Sequence, residues 1–534
     1  MNIALPVLGG LGLFLYGMTL MSAGLEKIAG GKLKKIIGVL TTNIFMGVLL
    51  GAVITLIIQS SSATTVMVIG FVNAGIMSLT QATGVIMGAN VGTTITAQLI
   101  AFNLTDYAPL VVISGVILLI STSNKKTKDI AEILIGIGIL FIGMGMMSDG
   151  LQPLEQSQVF ASFMIRLNNP VLGMIAGFVL TILLQSSSAS IGLVQALASQ
   201  GLIGIDLALP IIFGENIGST TTALLSSIGA NKTAKRAAII HFLFNLTGTI
   251  IFMIVLRYPI QLLVTRLSMG NVSRQIANAH SLFNIINVII QLPFAKLLVD
   301  AARWIIPGGD EEDNLPTIYL DERIIETPSI ALGQVNKEIL RMGDLVVENF
   351  KLVKKSLLDK EYELTDKIFK NSKLINRIGL ELKKYLIYLS SASLSDSQQK
   401  EVSTFLIVIS DLEGIDTHIN NLSGLAQYMI EDNLQFNHNS RNDLYEMFNE
   451  CIKEFKMARE AFEFLNQSLA KEVLNIKIQI DELEKVSREV HINKLDKKDY
   501  KTKSIIIFWD SLTNLERISD HSANIARYII TNIY

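Results

Sequence analysis

The stretch Gln59-Ser60-Ser61-Ser62-Ala63 lies in the middle of a long apolar run, and Gln185-Ser186-Ser187-Ser188-Ala189 lies in the middle of another. The offset of 126 between them holds without a gap from Gly47/Gly173 to Ala97/Ala223. It keeps Gly51/Gly177, Thr55/Thr181, Gly75/Gly201, Gly88/Gly214, Asn90/Asn216, Gly92/Gly218, Thr94/Thr220 and Thr96/Thr222 in register. Hydrophobicity alone would be satisfied by any Leu, Ile or Val at these places. Small and polar residues kept in step therefore mark an internal repeat, spanning about 44–101 and 170–228.

Around this repeat the chain divides by charge. Residues 1–300 hold 24 Asp, Glu, Lys and Arg, against 68 in residues 301–534, so a membrane domain precedes a soluble one. A formal net charge of −2 calls for no strongly acidic or basic partner and argues against nucleic acid. The single cysteine, Cys451, excludes an internal disulfide framework. Met1 to Ala23 has neither a basic leader nor a cleavage pattern and is expected to be a retained first transmembrane helix.

Apolar segments fall near 3–24, 44–75, 79–101, 108–121, 130–149, 170–200, 207–228, 237–256 and 276–300. A bilayer core of about 30 Å takes roughly 20 helical residues, so most are simple spans. The two Gln-Ser-Ser-Ser segments divide instead into halves such as Gly47 to Gln59 and Ser60 to Gly75, each too short to cross. Each is expected to be a re-entrant hairpin whose tip carries the serines near the midplane. Lys27, Lys32, Lys34 and Lys35, then Lys125, Lys126 and Lys128, then Lys232, Lys235 and Arg236 are expected on the cytoplasmic side. Counting crossings between those clusters makes the second hairpin enter from the opposite face, so the repeats are inverted. The same count leaves the C-terminal part in the cytoplasm and Arg257, Arg266 and Arg274 outside.

The domain boundaries read as a membrane domain over 1–305, a linker over 306–332 with Gly308-Gly309 and Asp310 to Asp313, and a helical domain over 333–534. In the last, apolar residues recur every three or four positions, as in Val335, Ile339, Met342, Val346 and Phe350. Three long periodic segments followed by three more suggest two antiparallel three-helix bundles. Their third helices share a signature at an offset of 103: Leu412-Glu413, Ile415, His418 and Asn421 against Leu515-Glu516, Ile518, His521 and Asn524. The fold is all-α throughout.

Serines at a helix break in a membrane offer hydroxyls that bind anions or cations beside unpaired backbone groups. Helix N-termini facing the tip would favour an anion without a buried arginine. Gly88-Ala-Asn90-Val-Gly92-Thr93-Thr94 and Gly214-Glu-Asn216-Ile-Gly218-Ser219-Thr220 read as broken helices, the glycines allowing unwinding and Asn and Thr oxygens coordinating Na+. The plain alternative is that such hydroxyls bond to their own helix's carbonyls, which for one isolated Ser-Ser-Ser is the better reading; the duplication tips it toward a transport site. Glu215, which is Ala89 in the other repeat, is a carboxylate at membrane depth, either functional or a helix-break cap. His241 with Asn245 and His280 with Asn284 share helix faces and suit either interhelical hydrogen bonds or a substrate-side role. In the soluble half Glu413 with Asp416, and Glu516 with Asp520, are either a solvated acidic face or metal ligands in a bundle core.

At these residues the sequence resembles the type II sodium-phosphate cotransporter family, in its bacterial form with a C-terminal PhoU-like domain. Both Gln-Ser-Ser-Ser motifs and both Gly-x-Asn-x-Gly motifs occur in the family's order, and the resemblance covers essentially the whole chain. It implies a symporter, not an enzyme, in a bacterial cell membrane, carrying inorganic phosphate with Na+ by alternating access. The site it implies comprises Gln59, Ser60, Ser61, Ser62, Thr64, Asn90, Thr93, Thr94, Gln185, Ser186, Ser187, Ser188, Asn216, Ser219 and Thr220. It implies a regulatory role for the soluble domain, a metal there of unknown identity, and a homodimer. Thr417 stands where the family's acidic pattern asks for a second Asp, with Asp416 one place off. A membrane-anchored phosphate sensor and a sodium-coupled carrier of another small anion, such as a dicarboxylate, are the alternatives.

Overall fold

The computed structural model describes residues 3–38, 43–75, 77–308, 319–361, 363–392, 394–492 and 502–532. They fold as two compact units, Met1–Asp313 with Asp321–Ile330, and Asn314–Leu320 with Ala331–Tyr534.

The first unit begins with α1 (Ala4–Gly38), followed by the first repeat: α2 (Ile44–Ile58), α3 (Ser61–Asn73), α4 (Leu79–Gly92) and α5 (Thr94–Ile100). After α6 (Ala108–Ser121), α7 (Lys125–Leu151) and a short α8 (Gln158–Leu167), the second repeat follows as α9 (Pro170–Leu184), α10 (Ser187–Ser199), α11 (Ile205–Gly218) and α12 (Thr221–Ser226). The unit closes with α13 (Lys232–Ile251), α14 (Arg257–Leu267), α15 (Val272–Gln291) and α16 (Ala295–Ile305). Among the described residues, four helical stretches are long and apolar enough to cross a membrane: Ala4–Ala29, Lys125–Gln156, Lys232–Leu267 and Val272–Ile305. The count becomes six if two bent pairs are taken as one span each, Leu79–Ile100 with Thr105–Ser121 at 72° and Gln158–Leu167 with Pro170–Leu184 at 109°. Large apolar side chains such as Leu8, Ile120, Leu183 and Ile254 lie on its outside, as a lipid-facing surface requires.

Polar and aromatic contacts hold the interior. Phe213 on α11, Phe252 just past α13 and Phe283 on α15 form a ring cluster with centroids 4.5 to 5.7 Å apart. Arg236, grouped by the sequence with Lys232 and Lys235 on the cytoplasmic side, is only 2% exposed. Its guanidinium donates to the carbonyls of Ile306 at 3.0 Å and Gly308 at 2.6 Å, satisfying the open C-terminal end of α16. The stretch expected as a linker is partly an element of this unit. A 3-10 turn at Glu322–Glu326 packs on α3, Asn73 Nδ2 donates to Asp321 at 2.8 Å, and Arg323 Nε donates to the Ser226 carbonyl at 2.7 Å. Residues 309–318, including the expected Asp310 to Asp313 run, lie outside the described residues.

The second unit consists of α17 (Pro328–Leu358), α18 (Leu364–Ser390), α19 (Asp396–Glu431), α20 (His438–Phe464), α21 (Gln467–Ile492) and α22 (Thr502–Asn532). The six periodic segments, expected at about 333–358, 363–390, 398–430, 437–468, 470–488 and 501–532, each lie within about five residues of these helices. Helices α19 and α22 pack together, and their contact is reciprocal at the offset of 103. His418 Nδ1 meets Asn514 Oδ1 at 2.9 Å and Asn421 donates to the same oxygen at 3.1 Å. In mirror image, His521 Nδ1 meets Asp411 Oδ1 at 2.8 Å and Asn524 donates to it at 3.4 Å. The His418 and His521 rings face each other across this axis at 5.8 Å.

Candidate functional site in the membrane unit

Both Gln-Ser-Ser-Ser motifs end one helix and start the next, in nearly the same backbone shape. Gln59 caps α2 with φ 57° and ψ 21°, and Gln185 caps α9 with φ 50° and ψ 23°. Ser60 and Ser186 are then extended, φ −143° and −146°. Each hydroxyl accepts from the N–H three residues on, Ala63 at 3.1 Å and Ala189 at 3.2 Å. Such N-caps satisfy one free donor of the following helix, leaving the others and the positive end of the dipole at the tip. Ser61 and Ser188 are buried, while Ser62 and Ser187 are partly exposed.

The arms of the two repeats exchange partners. Helix α3 of the first repeat packs on α12 of the second, α10 of the second packs on α5 of the first, and α13 and α15 lie against α3 and α10 respectively. Helix α5 bridges the arms through neighbouring residues. Thr96 Oγ1 donates to Gln59 Oε1 at 2.9 Å, and the Ala97 carbonyl accepts from Gln195 Nε2 at 3.2 Å.

The Gly-x-Asn-x-Gly segments interrupt their helices, as expected, but without unwinding the backbone. Thr93, between α4 and α5, has φ −65° and ψ −19°, and Ser219, after α11, has φ −61° and ψ −20°, both helical. The glycines serve close packing instead. A Cβ on Gly88 would strike the Val48 carbonyl and come within 2.9 Å of Ala52 N; on Gly214 it would strike the Met174 carbonyl and come within 2.9 Å of Phe178 N. Much of the local hydrogen bonding is also within one helix. Asn90 and Asn216 donate to Ile86 and Ile212 at 2.9 and 2.8 Å, and Thr94, Ser219 and Thr220 donate to carbonyls three residues back at 2.7 to 2.8 Å.

On α13 and α15 some buried polar atoms are left open. Asn245 and Asn284 each donate to the carbonyl of the histidine one turn earlier, at 3.1 and 3.0 Å, so the expected interhelical bonds are not the ones formed. Both ring nitrogens of His241, Nδ1 of His280 and Oδ1 of Asn245 and Asn284 are buried without a hydrogen-bond partner. Glu215 is 2% exposed and accepts from Ser190 Oγ at 2.6 Å. In the first repeat the matching positions are Ala89 and Thr64. Thr64 accepts from Thr55 Oγ1 at 2.9 Å and donates to the Ser60 carbonyl at 2.9 Å. Thr55 and Thr181 stood in the sequence register without being read as site residues, and Ser190, at the position of Thr64, was not singled out; the packing shows which partners their hydroxyls have.

Comparison with known proteins gives the family. A family model described as Na+/Pi-cotransporter matches residues 13–149 and 142–289, and a PhoU domain model matches 339–426 and 444–529. The chain belongs to the Na+/Pi-cotransporter family. A Salmonella typhimurium protein called "Putative inorganic phosphate export protein YjbB" is 24% identical over 93% of this cotransporter-family chain and 91% of its own. A Bacillus subtilis protein, "Uncharacterized protein YqeW", is 31% identical over 55% of this chain and 95% of its own. The human "Sodium-dependent phosphate transport protein 2C" is 43% identical over 97 residues, 17% of this chain and 16% of its own.

In the PhoU-like region the acidic residues read as metal ligands face lysines and amides. Glu413 pairs with Lys383. Lys477 Nζ lies 2.8 Å from Asp520, 2.6 Å from Asp481 and 3.8 Å from Glu516. Asp416, buried, accepts from Asn349 Nδ2 at 3.1 Å, Ser372 Oγ at 3.0 Å and Asn420 Nδ2 at 3.1 Å. Among the described residues no three His, Cys, Asp or Glu side chains converge as ligands would. Lys477 is shared by Asp481, Glu516 and Asp520, and Arg517 lies beside the last two, so among the described residues this acidic group is held in ion pairs.

Proposed function

We propose that the protein is a secondary transporter that moves inorganic phosphate coupled to Na+ by alternating access. Two inverted repeats would place the hairpin tips at one site near the midplane. Gln59 to Ser62, Thr64 and Gln185 to Ser188 would hold phosphate and Na+, with Asn90, Thr93, Thr94, Asn216, Ser219 and Thr220 at the helix interruptions behind them. The observation that carries this reading is the pair of tips with matching dihedrals, each a serine-capped helix N-terminus inside an apolar unit. Such ends favour an anion without a buried arginine. The open polar atoms of His241, Asn245, His280 and Asn284 give further groups on the substrate side. The names of the Salmonella and human relatives, export in one and sodium-dependent transport in the other, point to the same substrate. We assign the membrane to a bacterial cell membrane, with the PhoU-like unit in the cytoplasm as a restraint on flux.

The test is uptake of radiolabelled phosphate into proteoliposomes with and without an inward Na+ gradient. Na+-driven accumulation is expected, inhibited by neither succinate nor sulfate. Ser61→Ala and Ser187→Ala are each expected to lower it by about tenfold or more while the protein stays monodisperse. Full flux in both variants would refute the site, and phosphate binding without accumulation would make the protein a sensor.

A further inference from the structure

The two repeats differ most sharply beside their tips. In the first, the hydroxyls close on themselves: Thr55 Oγ1 donates to Thr64 Oγ1, which donates to the Ser60 carbonyl, both at 2.9 Å, and the residue opposite on α4 is Ala89. In the second, Thr64 is replaced by Ser190, whose hydroxyl turns instead to Glu215 Oε1 at 2.6 Å. That leaves Thr181, the counterpart of Thr55, without a hydrogen-bond partner for Oγ1 although the residue is 2% exposed.

The direction of this orphan hydroxyl follows from packing. The Cβ and Cγ2 of Thr181 lie 2.7 and 3.2 Å from where a Cβ would stand on Gly218, and those of Thr55 lie at the same 2.7 and 3.2 Å from that point on Gly92. With Cβ and methyl held alike, the hydroxyl of Thr181 is directed as that of Thr55 is, toward the residue at the Thr64 position, here Ser190, though it forms no hydrogen bond there. Glu215 itself has no Lys, Arg or His within ion-pair distance among the described residues. A carboxylate in a membrane interior without a counter-charge costs several kcal/mol, which a bound cation relieves. One carboxylate and two hydroxyls are hard oxygen donors suited to an alkali cation.

We propose that Glu215, Ser190 and Thr181 form a Na+ site peculiar to the second repeat, with no counterpart in the first. The site rests on the cotransport reading for the identity of its ion but not for its existence. It makes the two halves of a duplicated transporter unequal in charge, so that one half carries a cation on a fixed carboxylate and the other offers only neutral oxygens.

The test is binding of 22Na+ to the purified full-length protein in nanodiscs, without phosphate. Glu215→Gln is expected to remove one saturable site or weaken it by about tenfold or more, and Thr181→Val and Ser190→Ala to weaken it by about threefold. If Glu215→Gln does not give monodisperse protein, the other two decide. Na+ binding unchanged in the folded variants would overturn the site. So would unchanged Na+ binding together with loss of one titrating proton in Glu215→Gln, since the occupant would then be a proton. Na+ binding by the wild type without Na+-driven phosphate accumulation would refute the cotransport reading and leave this site standing.

Discussion

Residues 89 and 215 hold the same place in the two membrane repeats, as residues 411 and 514 do in the two halves of the PhoU-like unit, and in each pair one residue is charged and the other is not. In the membrane unit the pair is Ala89 and Glu215; in the soluble unit it is Asn514 and Asp411. Backbone geometry survives the difference in both places: the tips agree within about 10° in their capping dihedrals, and the two histidine contacts mirror each other at 2.9 and 2.8 Å. Duplication has kept shape, which close packing enforces, and let charge drift where solvent or a ligand can answer it. A second drift in the soluble unit moves a carboxylate within the buried core. Asp416 on α19 has Ser519 as its counterpart on α22, and the carboxylate beside Ser519 is Glu454 on α20.

If shape is what packing enforces, the largest effect should come from filling a shared contact. Gly214→Leu leaves no room against the Met174 carbonyl and is expected to cost about 3 kcal/mol or more, read as a lost or strongly lowered melting transition of the purified protein. Gly88→Leu should do the same.

The next test makes the repeats alike in charge. Ala89 is fully buried, and Ala89→Glu would put a second carboxylate in the interior of the membrane unit, with an expected cost of about 2 to 3 kcal/mol. A melting temperature unchanged by Ala89→Glu would mean that the first repeat already tolerates the charge it lacks.

In the soluble unit, burial pushes the Glu454 carboxyl up to about 8. The unfolded chain gives up that proton near the ordinary carboxylate value, the folded one only near pH 8. Stability should therefore fall by about 1 kcal/mol per pH unit between those limits and level off above them. Glu454→Gln should flatten that slope, and thermal melting between pH 5 and pH 8.5 would show it. The smallest change is expected from Asp411→Asn, which equalises the histidine contacts and should cost about 1 kcal/mol by chemical denaturation.

Much of this was legible in the chain itself, for reasons that differ by element. The soluble helices follow apolar periodicity, and the edge of α6 at Ala108–Ser121 coincides with its apolar run. The tips were legible because Gln-Ser-Ser-Ser interrupts segments that otherwise have no reason to be polar. Short α8 was missed, since its ten residues are too few to set a period. Glycine roles were misread because unwinding and close approach leave the same letter in the sequence; only the position of α2 against α4 tells them apart. Arg236 was counted only as a charge that sets topology, and nothing near it in sequence reveals that it reaches Ile306. Thr181 escaped notice for a related reason. Its open hydroxyl is a property of what Ser190 does, not of its own neighbourhood.

Gln59 and Gln185 bend the chain in the left-handed region, where glycine would sit freely and any other residue is disfavoured by about 1 kcal/mol. Both elbows therefore keep a side chain at some conformational expense, and in the first of them the amide is spent on holding Thr96. A shape that could be had more cheaply without the amide implies that the amide, rather than the bend, is what the position retains.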